Sequence, residues 1–139
     1  MSNGFQFIGT ITTEWLTPAE CRAQGSNVQL WRITSPFSVV LPDKRVVTVP
    51  RDFVTDFGSV PGWAQSYVGT ENPPLNIPAL IHDYGYSTRG VMFENSLKTD
   101  REGVDGLFRQ LLLACGMRSS QAWVVYHAVR LGGGAHWKS

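Results

Sequence analysis

The sequence predicts an α+β fold: a small, mostly antiparallel β-sheet from the N-terminal half, packed with about three C-terminal α-helices. Three observations predict it. Residues 5–54 hold short, loosely alternating runs of β-branched and aromatic side chains. Residues 78–131 place apolar side chains at helical spacing between capping residues and glycines. A length of 139 residues bounds the chain to one domain with one core. Residues 1–139 then divide into a β-rich part at 5–54, a long aromatic loop at 55–77, a helical part at 78–131 and a Gly-rich tail at 132–139.

Phe5 to Thr12 alternates loosely and opens the sheet. Thr17-Pro18-Ala19-Glu20 has the form of a helix start, with Thr17 as cap, Pro18 at the first position and Glu20 at the third; alternatively Glu14-Trp15-Leu16 extends the first strand. Val28 to Ile33 reads as a second strand. Ser38–Leu41 and Arg45–Val49 flank Pro42-Asp43-Lys44 and predict a hairpin, and Pro50–Val54 continues extended. The loop that follows carries Asp56, Phe57, Trp63 and Tyr67, too aromatic for a disordered linker. Pro78 predicts the start of a helix through about Ser87, ended by Thr88-Arg89-Gly90 with Gly90 as its C-cap. Thr99 with Glu102 predicts a capping box. The next helix sets Val104, Leu107, Phe108, Leu111, Leu112 and Cys115 at i, i+3, i+4, i+7, i+8 and i+11, and Gly116 stops it. Ser119 or Ser120 is expected to cap a last helix carrying Trp123, Tyr126, His127 and Arg130, ended by Gly132-Gly133-Gly134.

Composition narrows the function. With 42% hydrophobic and 17% charged residues the chain is globular. A net charge of +1 gives no electrostatic footprint for nucleic acid or an anionic membrane. Cys21 and Cys115 sit in no CxxC pair and read as reduced structural thiols. The first 20 residues show neither a basic start nor a long apolar run, so no signal peptide is expected, and no apolar stretch is long enough for a transmembrane segment.

The chemistry concentrates at His82-Asp83-Tyr84-Gly85-Tyr86. His82 and Tyr86 are one helical turn apart and share a face, while Asp83 points about a quarter turn away. A histidine beside a carboxylate can serve as a general base with a fixed tautomer, and a carboxylate aimed elsewhere can hold a divalent cation. Asp105 falls at the edge of the apolar stripe of its helix, where it could orient His82 or remain a solvated flank residue. Asp56 lies where a strand breaks into the long loop; it reads as an Asx-turn, a cation ligand or a polar partner of His82. Ser59 lacks the G-x-S-x-G setting of a nucleophile. His127 reads as a packing or surface residue, and the three histidines have no zinc-type spacing.

Two resemblances attach to these residues. Phe53 to Pro61, His82 to Tyr86, Asp105 with Phe108, and Trp123 to Arg130 with the Gly-rich end resemble, in order and spacing, the bacteriophage and prophage family called domain of unknown function 1353. That resemblance implies a phage-encoded protein, placed in the host bacterial cytoplasm or the virion. More locally, His-Asp-x-x-Tyr followed on a later helix by Asp-x-x-Phe is similar to the phospholipase A2 superfamily. This second likeness implies that His82 activates water, Asp83 binds calcium, and Tyr86 and Asp105 hold His82. The chain departs from that pattern: no cysteine flanks His82, and residues 56–63 would have to replace the Gly-rich calcium loop. Two expectations follow. One is a calcium-dependent hydrolase acting on lipid or another ester or amide during infection or lysis. The other is a non-catalytic virion, tail or host-protein-binding protein in which Asp56, His82, Asp83 and Asp105 form a structural network and residues 57–67 the contact surface.

Overall fold

The computed structural model describes residues 4–56 and 76–137. In chain order the elements are β1 (Gln6–Ile8), β2 (Thr13–Trp15), α1 (Pro18–Ala23), β3 (Trp31–Ile33), β4 (Phe37–Val40), β5 (Val46–Val49), β6 (Val54–Thr55), α2 (Asn76–Ser87), α3 (Arg101–Ala114), α4 (Ser119–Gly132) and α5 (Gly134–Trp137). The fold is α+β. The expected single sheet is two antiparallel three-stranded sheets, ordered β1–β4–β5 and β2–β3–β6. The first predicted strand divides at Gly9, whose φ of 90° turns the chain. Phe7 thus pairs with Val39, and Glu14 with Arg32.

The expected hairpin forms between β4 and β5, with Val39 opposite Val47. Its turn closes by a hydrogen bond from Lys44 N–H to the Leu41 carbonyl at 2.9 Å. Lys44 occupies the left-handed region at φ 77°, as the last residue of such a loop requires. Alternation along β4 and β5 buries Phe37, Val39, Val47 and Val49 and leaves Ser38 and Thr48 to pair across the other face at 2.8 Å. Before this hairpin, both readings of the ambiguous segment hold in succession. Glu14 and Trp15 are in β2, and Thr17 then starts α1 with a reciprocal capping box to Glu20.

The helical half departs from expectation at its caps. Helix α2 opens at Asn76, two residues before Pro78, because first-turn N–H groups have no intrahelical acceptor to lose. At its other end Gly90 N–H reaches the Gly85 carbonyl and Arg89 N–H the Tyr86 carbonyl; Arg89 at φ 53° and the expected Gly90 at φ 85° are both left-handed. The cap of α3 is Asp100, which accepts from Gly103 N–H, and not Thr99. Thr99 is held one step outside the helix because its N–H pairs with the Gly90 carbonyl. Gly116 ends α3 as expected, at φ 98°. No serine side chain caps α4, whose N-cap is Arg118. The buried face of α4 is its small and β-branched one. Ala122, Val125, Ala128 and Val129 pack on Phe108 and Leu112 of α3, while Trp123 is 53% exposed. Small and β-branched side chains let α4 approach α3 closely, which a tryptophan stripe would prevent. The Gly-rich end is not a plain tail, because α5 brings Trp137 edge-on to Tyr86 with ring centroids 5.3 Å apart.

The main core joins the inner face of the first sheet to α2 and α3 through Phe37, Val39, Val47, Leu80, Ile81 and Leu111. Full burial of each such side chain stabilises by roughly 1.5–3 kcal/mol. The approach of α2 to α3 is close at Gly85, where a Cβ would lie 2.7 Å from Val104 Cγ1. That closeness sets His82 and Tyr86 of α2 against Asp105 of α3. No helix among the described residues is long and apolar enough to cross a membrane.

Candidate functional site: a buried His–Asp network beside a carboxylate-lined cleft

His82 and Tyr86 project from one face of α2, one turn apart, as the spacing predicts. Both reach the same oxygen of Asp105. His82 Nε2 lies 2.7 Å from Asp105 Oδ1, and Tyr86 donates its hydroxyl hydrogen to Oδ1 at 2.7 Å. Asp105 is therefore not a solvated flank residue; its exposure and that of His82 are both 0%. The imidazole sits between the Tyr86 and Phe108 rings, with centroids 4.3 and 4.6 Å away.

Two arginines join the network, and neither was read as a site residue from the sequence. Arg130 of α4 donates from Nη1 to Asp105 Oδ2 at 2.8 Å. Arg101 of α3 donates from Nε to the Tyr86 hydroxyl at 3.0 Å, and from Nη2 to the carbonyls of Val129 and Arg130 at 2.9 and 2.8 Å. One signal could have found Arg101. It stands at the first position of a helix, where the macrodipole disfavours a cation, so a tertiary partner has to hold it there.

The electrostatics follow from these contacts. Burial pushes the Asp105 carboxyl upward, but donation by His82, Tyr86 and Arg130 outweighs it and holds the group below the usual carboxylate range. Burial, reinforced by the Asp105 charge, pushes the Tyr86 phenol well above its ordinary value, so it stays protonated. Contact with Asp105 raises Arg130. An ionised carboxylate only accepts hydrogen bonds, so His82 Nε2 carries the proton that Asp105 Oδ1 accepts.

Asp83 faces away from this network, as predicted, and accepts a hydrogen bond from the Thr55 hydroxyl of β6. Asp83, Thr55 and Asp56 line a cleft of about 270 Å³ together with Leu30, Phe53, Val54, Tyr86 and Ser87. Tyr86 thus touches both the cleft and the network. Two larger hollows, of about 440 and 380 Å³, lie elsewhere, one between the β4–β5 turn and α3 and one beside α1. We attach the chemistry to the smaller cleft because it alone of the three borders the His82–Asp105 network. The structure brings together Asp83 and Asp56 on one side, and His82, Tyr86 and Asp105 on the other. Among the described residues no group of three or more His, Cys, Asp or Glu could hold a metal ion. Phe57, Ser59, Trp63 and Tyr67, and with them most of the expected calcium loop and aromatic contact surface, lie outside the described residues. His127 packs against Trp123 with ring centroids 4.2 Å apart, as a surface packing residue. Both cysteines are free, and burial raises the Cys115 thiol, which disfavours its nucleophilic form.

Fold and site together define an α+β protein organised around a buried His–Asp pair that joins three helices. A family model described as Protein of unknown function (DUF1353) matches residues 31–129, more than half of the chain. The chain belongs to that family, and the match contains His82, Asp83, Tyr86, Arg101 and Asp105. No curated protein and no solved structure matches the chain significantly.

Proposed function

We propose that this is a phage-encoded hydrolase of an ester or amide, a membrane lipid among the candidates, acting during infection or lysis with His82 as general base. The observation that carries the reading is the His82 Nε2–Asp105 Oδ1 bond of 2.7 Å, which orients the imidazole one residue away from a cleft-lining carboxylate. In this mechanism His82 takes a proton from water as its oxygen adds to the substrate carbonyl carbon. Collapse of the tetrahedral adduct breaks the bond to the leaving group, which takes the proton back from the imidazolium. Asp105 stabilises that imidazolium, and Tyr86 keeps Asp105 in place. Asp83 and Asp56 supply two carboxylates of the six to eight oxygen ligands that calcium takes, and backbone carbonyls or water would have to complete the set. Calcium bound there would polarise the substrate carbonyl.

The test is hydrolysis of chromogenic esters and phospholipid vesicles, with calcium and with a chelator. Turnover is expected with calcium, to be lost on chelation and reduced about 100-fold or more in His82→Gln, as for removal of a general base. Unchanged turnover in that variant would remove His82 from the mechanism.

A second reading has its own observation: neither His82 nor Asp105 exposes any surface. A sealed, fully bonded network of this kind can serve to fix a fold. The chain would then be a non-catalytic virion, tail or host-protein-binding protein. On this reading His82→Gln lowers stability, no substrate is turned over, and stoichiometric capture of a virion or host protein persists.

A further inference from the structure

The outward face of α4 takes no part in the His82–Asp105 network. We propose that this face docks on an anionic lipid bilayer, with Trp123, His127 and Leu131 laid on the membrane and the arginines beside them meeting the lipid phosphates. The proposal goes beyond the hydrolytic reading and stands whether or not His82 is catalytic.

Trp123, His127 and Leu131 are spaced four residues apart and so stack on successive turns of one helix face. Trp123 is 53% exposed and Leu131 88% exposed, and the His127 ring leans on Trp123 with centroids 4.2 Å apart. Single apolar side chains on a surface are ordinary, but an indole, an imidazole and a leucine on three successive turns form a ridge. Ala122, Val125, Ala128 and Val129 already cover α3 from the other side. The helix is therefore apolar on two sides, and only one of them has a partner among the described residues.

Charge decides which partner fits. The whole chain is nearly balanced, with 12 basic and 11 acidic residues. Asp105 is the last of the acidic ones, and residues 106–139 hold Arg109, Arg118, Arg130 and Lys138 with no carboxylate side chain to offset them. Three of these cations border α4. Arg118 is exposed at its N-terminal end. From α3, the Arg109 guanidinium reaches to 5.7 Å from the centre of the Tyr126 ring. Arg130, one residue before Leu131, keeps 29% of its side chain exposed while bound to Asp105, and Glu102 of α3 offsets its charge in part. An apolar ridge with basic flanks and no acid of its own matches an interface that is anionic at its surface and apolar below. Tryptophan suits that boundary, because its ring is apolar and its N–H polar. A leucine as exposed as Leu131 gains from acyl chains and nothing from a nucleic-acid backbone.

The experiment is sedimentation of the full chain with vesicles of pure phosphatidylcholine and of phosphatidylcholine mixed with phosphatidylglycerol. Light scattering of the chain alone and binding to a single-stranded oligonucleotide are read beside it. The chain is expected to sediment with the phosphatidylglycerol vesicles, to leave pure phosphatidylcholine in solution, and to be released at ~1 M salt, where attraction between charges is screened. Trp123→Gln and Leu131→Gln are each expected to weaken binding about tenfold, and Arg118→Gln about fivefold. All three positions are exposed, and circular dichroism checks that the variants fold; Leu131→Gln, at the more exposed apolar position, decides if Trp123→Gln does not. Failure to bind the anionic vesicles overturns the proposal, and so does equal binding to both kinds of vesicle. Binding left unchanged by the folded ridge variants does the same. A dimer that Trp123→Gln dissolves would assign the ridge to a second copy of the chain, and capture of the oligonucleotide with no vesicle binding would assign it to nucleic acid; either result overturns the proposal. Sedimentation needs no turnover, so this claim and the hydrolytic one fail separately.

Discussion

Asp105 carries the strongest consequences for a single residue. Three donors converge on it inside the protein, so Asp105→Ala strands Arg130 and leaves His82 and Tyr86 without their acceptor. Breaking a buried pair by removing one partner costs about 3–5 kcal/mol, and urea unfolding should show a loss of that order. The pH dependence follows from directions. The folded-state value of Asp105 is depressed, so its contribution is complete above the unfolded value of about 3.9 and is lost as pH falls through the folded value. The phenol of Tyr86 is raised by burial first and by Asp105 second. Its contribution is complete below about pH 10 and is lost as pH rises beyond. Stability measured across pH should therefore fall at both extremes, and Tyr86→Phe should remove the alkaline limb that Tyr86 contributes and, by withdrawing a donor from Asp105, also shrink the acid limb. At this scale the sequence was legible where chemistry follows local spacing. His82 and Tyr86 are i and i+4, and Asp105 borders an apolar stripe. It was silent about Arg130, because no spacing within α4 says which side chain of α3 lies opposite.

Caps and close approaches decide the elements. Asp100→Ala removes the side-chain acceptor of α3 and should cost about 1 kcal/mol in urea unfolding, whereas Thr99→Ala should not mimic it. At Gly85 an added methyl meets Val104 at 2.7 Å, so Gly85→Ala forces α2 away from α3. A loss of roughly 1–3 kcal/mol is expected for such overpacking. The same displacement should weaken the His82–Asp105 bond, a change that histidine NMR would register. Periodicity located α3 and its stop at Gly116 because a one-sided apolar stripe and a glycine are local signals. It left the buried face of α4 unassigned, because that face is decided by how near α3 can come, through Ala122, Val125, Ala128 and Val129. It also missed the partition into two sheets, since strand pairing beyond a hairpin depends on partners distant in sequence, such as Gln6 and Val40.

For the molecule as a whole, the burial pattern predicts uneven protection. The strands β1 and β2 are exposed along their length, whereas Leu80, Ile81, Val47 and Leu111 are sealed in the main core. Native-state hydrogen exchange should find the slowest amides in α2, α3 and β5 and the fastest in β1 and β2. Uniform protection across the strands would contradict this picture.

One carboxylate on α3 receives hydrogen bonds from α2 and from α4 at once. Neither neighbour can therefore peel away and leave the network intact. Loosening α2 from α3 breaks the His82–Asp105 bond, and loosening α4 withdraws the Arg130 donor from the same carboxylate. A chain caught half-folded holds no aligned His82 at all, so whatever His82 does is withheld until assembly is complete.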